Sequence, residues 1–142
     1  MKQLLLACAA VCLITPLEAA ADPTTVSINI QGLSSTEGVL YAGLCTEEGW
    51  ETYECNNVVL KPAAGTITHH WENVAAGLYG VTLLHDKNEN GQMDFNFFGA
   101  PKEQWGSSNN PAPRMGPSLW RDASFDVAGE PVKLDIRMQP GE

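Results

Sequence analysis

The chain has 142 residues, of which 44% are hydrophobic and 18% charged, and it carries a formal net charge of −9 at pH 7. That length makes one domain with room for a real core. An acidic balance with no run of Lys or Arg excludes nucleic acid as a partner, because such binding rests on cationic side chains neutralising phosphates.

The first segment reads as an export signal. Lys2 supplies a basic start, residues 4–17 are apolar apart from Thr15, and Ala19-Ala20-Ala21 gives the small-x-small pattern of a processing site. Residues 1–21 are therefore expected to be a signal peptide, with 22–142 as a single mature domain. The apolar run falls short of the roughly 20 residues that a transmembrane span needs, so no transmembrane segment is expected after cleavage. An uncleaved N-terminal anchor is the alternative. Removing Lys2 and Glu18 leaves the net charge at −9.

Cleavage would also remove Cys8 and Cys12 and leave Cys45 and Cys55. An even count in an exported chain predicts a Cys45–Cys55 disulfide. A metal pair or two free thiols is the alternative.

From Val26 onward the pattern is strand after strand. Val26, Ile28 and Ile30 alternate with polar residues, and residues 39–45 form an apolar run. A short strand follows at 58–60, then Ile67, His69 and Trp71 alternate with Thr68, His70 and Glu72. Residues 78–84 are apolar on both faces apart from Gly80 and Thr82, which predicts a central strand. Alternation resumes at 123–127 and at 132–138. Period two with β-branched and aromatic residues means strands, and no stretch sustains a helical period. The expected fold is all-β: an antiparallel β-sandwich of about seven strands, Ig-like or transthyretin-like, with one long ordered loop. A small closed barrel is the alternative.

The central strand runs into His85-Asp86-Lys87-Asn88-Glu89-Asn90-Gly91-Gln92-Met93-Asp94. Counted from Asp86, the oxygen-bearing side chains Asp86, Asn88, Asn90 and Asp94 stand at positions 1, 3, 5 and 9, with Gly91 at position 6. That is the spacing of a calcium loop. Ca²⁺ takes oxygen ligands, Gln92 would add a backbone carbonyl, and the sixth residue must turn sharply. Position 12 is Phe97 where an EF-hand needs a bidentate Glu, so the loop is of another kind. A further ligand could come from Asn96, Glu103 or Asp122. Two carboxylates predict weak binding, roughly 10⁻⁴–10⁻³ M as in extracellular modules. The alternative is an Asx-rich turn whose side chains cap their own backbone.

Residues 95–121 break the strand rhythm and are rich in Gly, Pro, Asn and Ser. Loops this long are functional or disordered, and Phe95, Phe97, Phe98, Trp105 and Trp120 argue for order. The expectation is that this loop folds onto the sandwich and buries its rings.

These residues together resemble a known family. His85-Asp86-x-Asn88-x-Asn90-Gly91-x-Met93-Asp94-x-Asn96, Gly99-Ala100-Pro101-Lys102-Glu103, Gly106-x-Ser108-Asn109-Asn110, Gly116-Pro117 and Asp122-Ala123-x-Phe125 resemble the bacterial family called domain of unknown function 2141. The resemblance spans nearly all of the mature chain and is densest over residues 77–125. It implies an exported bacterial β-rich domain, periplasmic or secreted, and no reaction.

Two functions remain open. One is a non-catalytic binding or structural module of the envelope, with calcium holding the long loop and an envelope or extracellular ligand as partner. The other is an envelope hydrolase or carbohydrate-active enzyme using His85, oriented by Asp86, or paired carboxylates such as Glu103 and Asp122. His69 and His70 are adjacent on a strand and face opposite ways, so they cannot easily share a metal. Copper handling lacks clustered ligands, and no GxSxG, HExxH or phosphate loop is present.

Overall fold

The computed structural model describes residues 21–141; the expected signal segment therefore lies outside the described residues, apart from Ala21. Eight strands and two short helices follow in chain order: β1 (Thr24–Gln31), β2 (Val39–Cys45), α1 (Glu47–Thr52), β3 (Asn56–Leu60), β4 (Ile67–Val74), β5 (Gly77–Asp86), β6 (Gln104–Ser107), α2 (Trp120–Ala123), β7 (Phe125–Val127) and β8 (Val132–Arg137). They form two sheets, ordered β4-β1-β8 and β3-β2-β5-β6, with β7 pairing with β5.

The core lies between the sheets because each sheet turns one set of alternating side chains inward. Val26, Ile28 and Ile30 of β1 are fully buried, as are Leu40, Ala42 and Val81, and Leu83, Trp71 and Ile136 close the same cluster. The outer face of β1 is polar instead. Asn29 donates to Asp135 at 2.9 Å and accepts from Thr68 at 2.9 Å, while His70 Nδ1 lies 2.8 Å from Ser27 Oγ. Such cross-strand pairs stabilise a solvated sheet face.

β5 is the central strand that its two-sided apolar pattern predicts. Residues 80–86 pair with β2, residues 82–85 with β6 and residues 77–79 with β7. Its outer face is covered at Gly80, where an added Cβ would come within 2.9 Å of Trp50 and 3.0 Å of Trp120. Those two rings meet edge to face at 5.8 Å, and Trp50 donates its indole N–H to the Ser118 carbonyl. Trp50 is brought there by α1, whose N-cap Thr46 accepts from Gly49 N and whose first turn carries Glu47 and Glu48. The predicted disulfide spans α1, joining Cys45 to Cys55 with their Cα atoms 4.5 Å apart.

Three details differ from the sequence expectation. β8 runs parallel to β1, from Val26↔Val132 to Gln31↔Arg137, so the sandwich is mixed. Alternation reports which face a residue takes and says nothing of strand direction. β6 interrupts the segment read as one loop; its four residues, Gln-Trp-Gly-Ser, are too short and polar to alternate. Finally, the rings of Phe95, Phe97 and Phe98 are not buried: they are 57%, 98% and 87% exposed.

Candidate functional site

β5 and β6 together hold the Asx-rich loop. Their register pairs His85 with Gln104, which places Asp86 and Glu103 where the two strands leave the sheet. Asp86 is fully buried. Its carboxylate accepts the N–H groups of Asn90 at 3.3 Å and Gly91 at 2.7 Å, and so ties the first half of the loop back to the strand. Gly91 takes φ +78°, the left-handed turn its position requires. Glu89 also adopts φ 59°, at a position that carries no such sequence signal.

The second half closes on Asp94. Its carboxylate accepts from Asn88 Nδ2 at 2.6 Å and from Asn90 Nδ2 at 3.1 Å to each oxygen. The amide oxygens cap the backbone: Asn88 Oδ1 accepts Asn90 N at 3.2 Å, and Asn90 Oδ1 accepts Gln92 N at 3.0 Å. The structure thus brings together Asp86, Asn88, Asn90 and Asp94, with Gln92 joining through its N–H.

As a donor set these are hard oxygens, two charged and two neutral, of the kind calcium takes. Each amide oxygen that accepts one N–H keeps a second lone pair. The amide nitrogens now facing Asp94 would have to turn their oxygens toward a bound cation, which opposes tight binding. Among the described residues, no group of three or more His, Cys, Asp or Glu side chains forms a metal cluster.

Glu103 is the residue whose role sequence reasoning missed. It is 5% exposed, and its two carboxylate oxygens accept Lys87 N at 3.1 Å and Asp94 N at 3.3 Å. One side chain therefore clamps both ends of the loop. Burial raises its pKa, the Asp86 and Asp94 charges push the same way, and the two N–H bonds oppose them. The motif Gly99-to-Glu103 marked its position but not this contact. Asn96 instead orders its own turn, accepting Phe98 N and Ala100 N at 2.9 Å each. The exposed Asp122 lies 3.5 Å from Arg121.

The histidines take structural places. His85 is fully buried, and its Nε2 lies 2.8 Å from the Glu37 carbonyl. A carbonyl only accepts, so Nε2 carries the proton; Nδ1 is buried without a partner among the described residues. Adjacent strand residues point to opposite faces, so His85 looks into the core while Asp86 holds the loop, and the two form no His–Asp pair. Nearby, Gln104 links β6 to the β1–β2 connection, accepting Ser34 N at 2.7 Å and donating to the Gly32 carbonyl at 2.9 Å. His69 packs edge to face on Trp71 at 4.7 Å. Burial, with His70 beside it, lowers its pKa. Ser108, fully buried, accepts Val81 N and donates to the Ala123 carbonyl.

Compared with known proteins, the chain matches one family profile, described as an uncharacterized protein conserved in bacteria (DUF2141), over residues 28–135. That span runs from within β1 to within β8. No curated protein and no solved structure matches.

Proposed function

The chain belongs to this uncharacterised bacterial family, and from that premise we propose that it is an exported, non-catalytic binding or structural module of the bacterial envelope, periplasmic or secreted, whose 86–94 loop takes calcium as a structural ion. What supports this reading is the calcium-loop spacing of Asp86, Asn88, Asn90 and Asp94 in a turn whose halves are tied down by Asp86 and Asp94 and clamped at the base by Glu103. Bound calcium would supply positive charge between Asp86 and Asp94 and cross-link the two halves of the turn.

The Cys45–Cys55 bridge fits an oxidising compartment. No helix among the described residues is long and apolar enough to cross a membrane. What favours a module over the hydrolase reading is that His85 faces the core and Glu103 spends both oxygens on backbone N–H groups.

Calcium titration tests the proposal. With a Kd near 0.1 mM, 10 mM calcium adds roughly 2.7 kcal/mol of stability, and native mass spectrometry shows one bound ion. Asp94→Ala, which removes the more exposed carboxylate, abolishes that gain while leaving the β-sandwich folded. A melting temperature indifferent to calcium in the intact protein overturns the metal and leaves an Asx turn.

A further inference from the structure

We propose that the turn at residues 95–102 is a membrane-docking tip that inserts Phe97 and Phe98 into the interface of a zwitterionic phospholipid surface. Phe97 is 98% and Phe98 87% exposed. Their rings pack edge to face at 5.5 Å, which makes one compact wedge. Exposed apolar clusters of this kind mark interaction sites.

The backbone beneath the rings is prepared for a low-dielectric surface. Unpaired peptide groups are costly there. Asn96 Oδ1 accepts the N–H groups of Phe98 and Ala100, and the Asn96 carbonyl accepts Gly99 N at 3.0 Å. Pro101 has no N–H to satisfy. Asn96 N bonds the Ala100 carbonyl at 2.9 Å, and Lys102 N bonds the Asp94 carbonyl at 2.8 Å. The N–H groups of Asn96, Phe98, Gly99, Ala100 and Lys102 are thereby paired within the turn, and the rings of Phe97 and Phe98 face outward.

Size and charge select the occupant. With Phe95, the three rings expose roughly 500 Å², short of the roughly 800 Å² per partner of a standard protein interface. Insertion into lipid needs no such area, because each ring partitions on its own. The segment from Phe95 to Lys102 holds no carboxylate, and Lys102 is its sole charge. The tip can enter a headgroup layer without desolvating an acid, whereas the net charge of −9 over the whole chain disfavours an anionic surface. The tip meets the calcium loop only at the Asp94 carbonyl, through Lys102 N, and uses none of the side-chain oxygens proposed to hold the ion, so the inference stands apart from the metal.

Flotation with phosphatidylcholine vesicles in chelator tests it. The purified protein is expected to float with the vesicles. Phe97→Ser and Phe98→Ser each weaken partitioning roughly tenfold, and the double variant roughly a hundredfold. Melting temperatures stay unchanged, since neither ring is in the core. Phosphatidylglycerol vesicles bind less well, and added salt narrows the gap. The proposal is overturned if the wild type stays in solution, if the double variant floats equally well, or if phosphatidylglycerol binds more tightly. A wild-type dimer that the double variant dissolves overturns it in favour of a second copy of the chain.

Discussion

The inter-sheet core and the 86–102 loop solve the same problem in opposite ways. Between the sheets, ladder hydrogen bonds satisfy the backbone, and side chains such as Ile28, Leu40 and Val81 contribute burial alone. In the loop, almost no apolar surface is buried. The backbone is satisfied by side chains instead: Asp86, Asn88, Asn90, Asn96 and Glu103 all accept main-chain N–H groups. The cost of lost burial grows with the surface and cavity left behind. In a polar network the loss is set bond by bond, because one missing acceptor leaves a donor without its partner, at most cost where the bond is sheltered, as at Glu103.

The largest expected effect lies on the sandwich side. Replacing both Cys45 and Cys55 by Ala frees a short closed segment, and the chain-entropy model puts the loss at about 3 kcal/mol. Chemical denaturation measures it, and the protein should still unfold in one transition. A loss confined to α1, with the sheets melting as before, would show that the bridge serves only that helix.

Glu103→Ala is the matching test for the loop. It removes both acceptors of Lys87 N and Asp94 N, so about 2 kcal/mol is expected. Hydrogen exchange should quicken over residues 87–102 while β1 and β2 remain protected. If all regions quicken together, the loop and the core form one cooperative unit and the contrast fails. Gly91→Ala is smaller, about 1 kcal/mol. Nothing lies within 4 Å of the added Cβ, so the cost is that of holding Ala at φ +78°. A melting curve identical to that of the wild type would mean that the turn relaxes freely.

The same contrast explains what could be read from the sequence. Strand positions were legible wherever one face is buried, because burial writes a period of two: Val26-Ile28-Ile30 and Leu134-Ile136-Met138 are examples. The disulfide was legible from cysteine arithmetic. The direction of β8 was not, since a parallel and an antiparallel neighbour bury the same alternate residues. β6 was hidden because Gly106 and Ser107 are buried without being large and apolar. In the loop, the Asp/Asn spacing and Gly91 announced a tight turn, but not that the amides of Asn88 and Asn90 face Asp94. Phe97 and Phe98 were misplaced because composition gives ring count and not the presence of a groove to receive them. The turn they ride on is held by Asn96 and needs no packing.

The smallest effect sharpens the comparison through one titratable group within the sandwich. His69 is half-buried against Trp71, and its Nε2 has no partner among the described residues. Burial, with the neighbouring His70, lowers its pKa, so the fold favours the neutral ring. A group depressed in this way contributes stability that is present above its unfolded value, about pH 6.5. That contribution is lost as pH falls through the lower folded value. His69→Phe keeps an aromatic ring beside Trp71 and removes the proton site. The melting-temperature difference between variant and wild type should therefore widen in favour of the variant as pH drops from about 7.5 to about 5.5. The loop's Asn and Gly residues have no part in that window. If the two proteins lose stability in parallel over this range, protonation of His69 is not what the apolar interior resists.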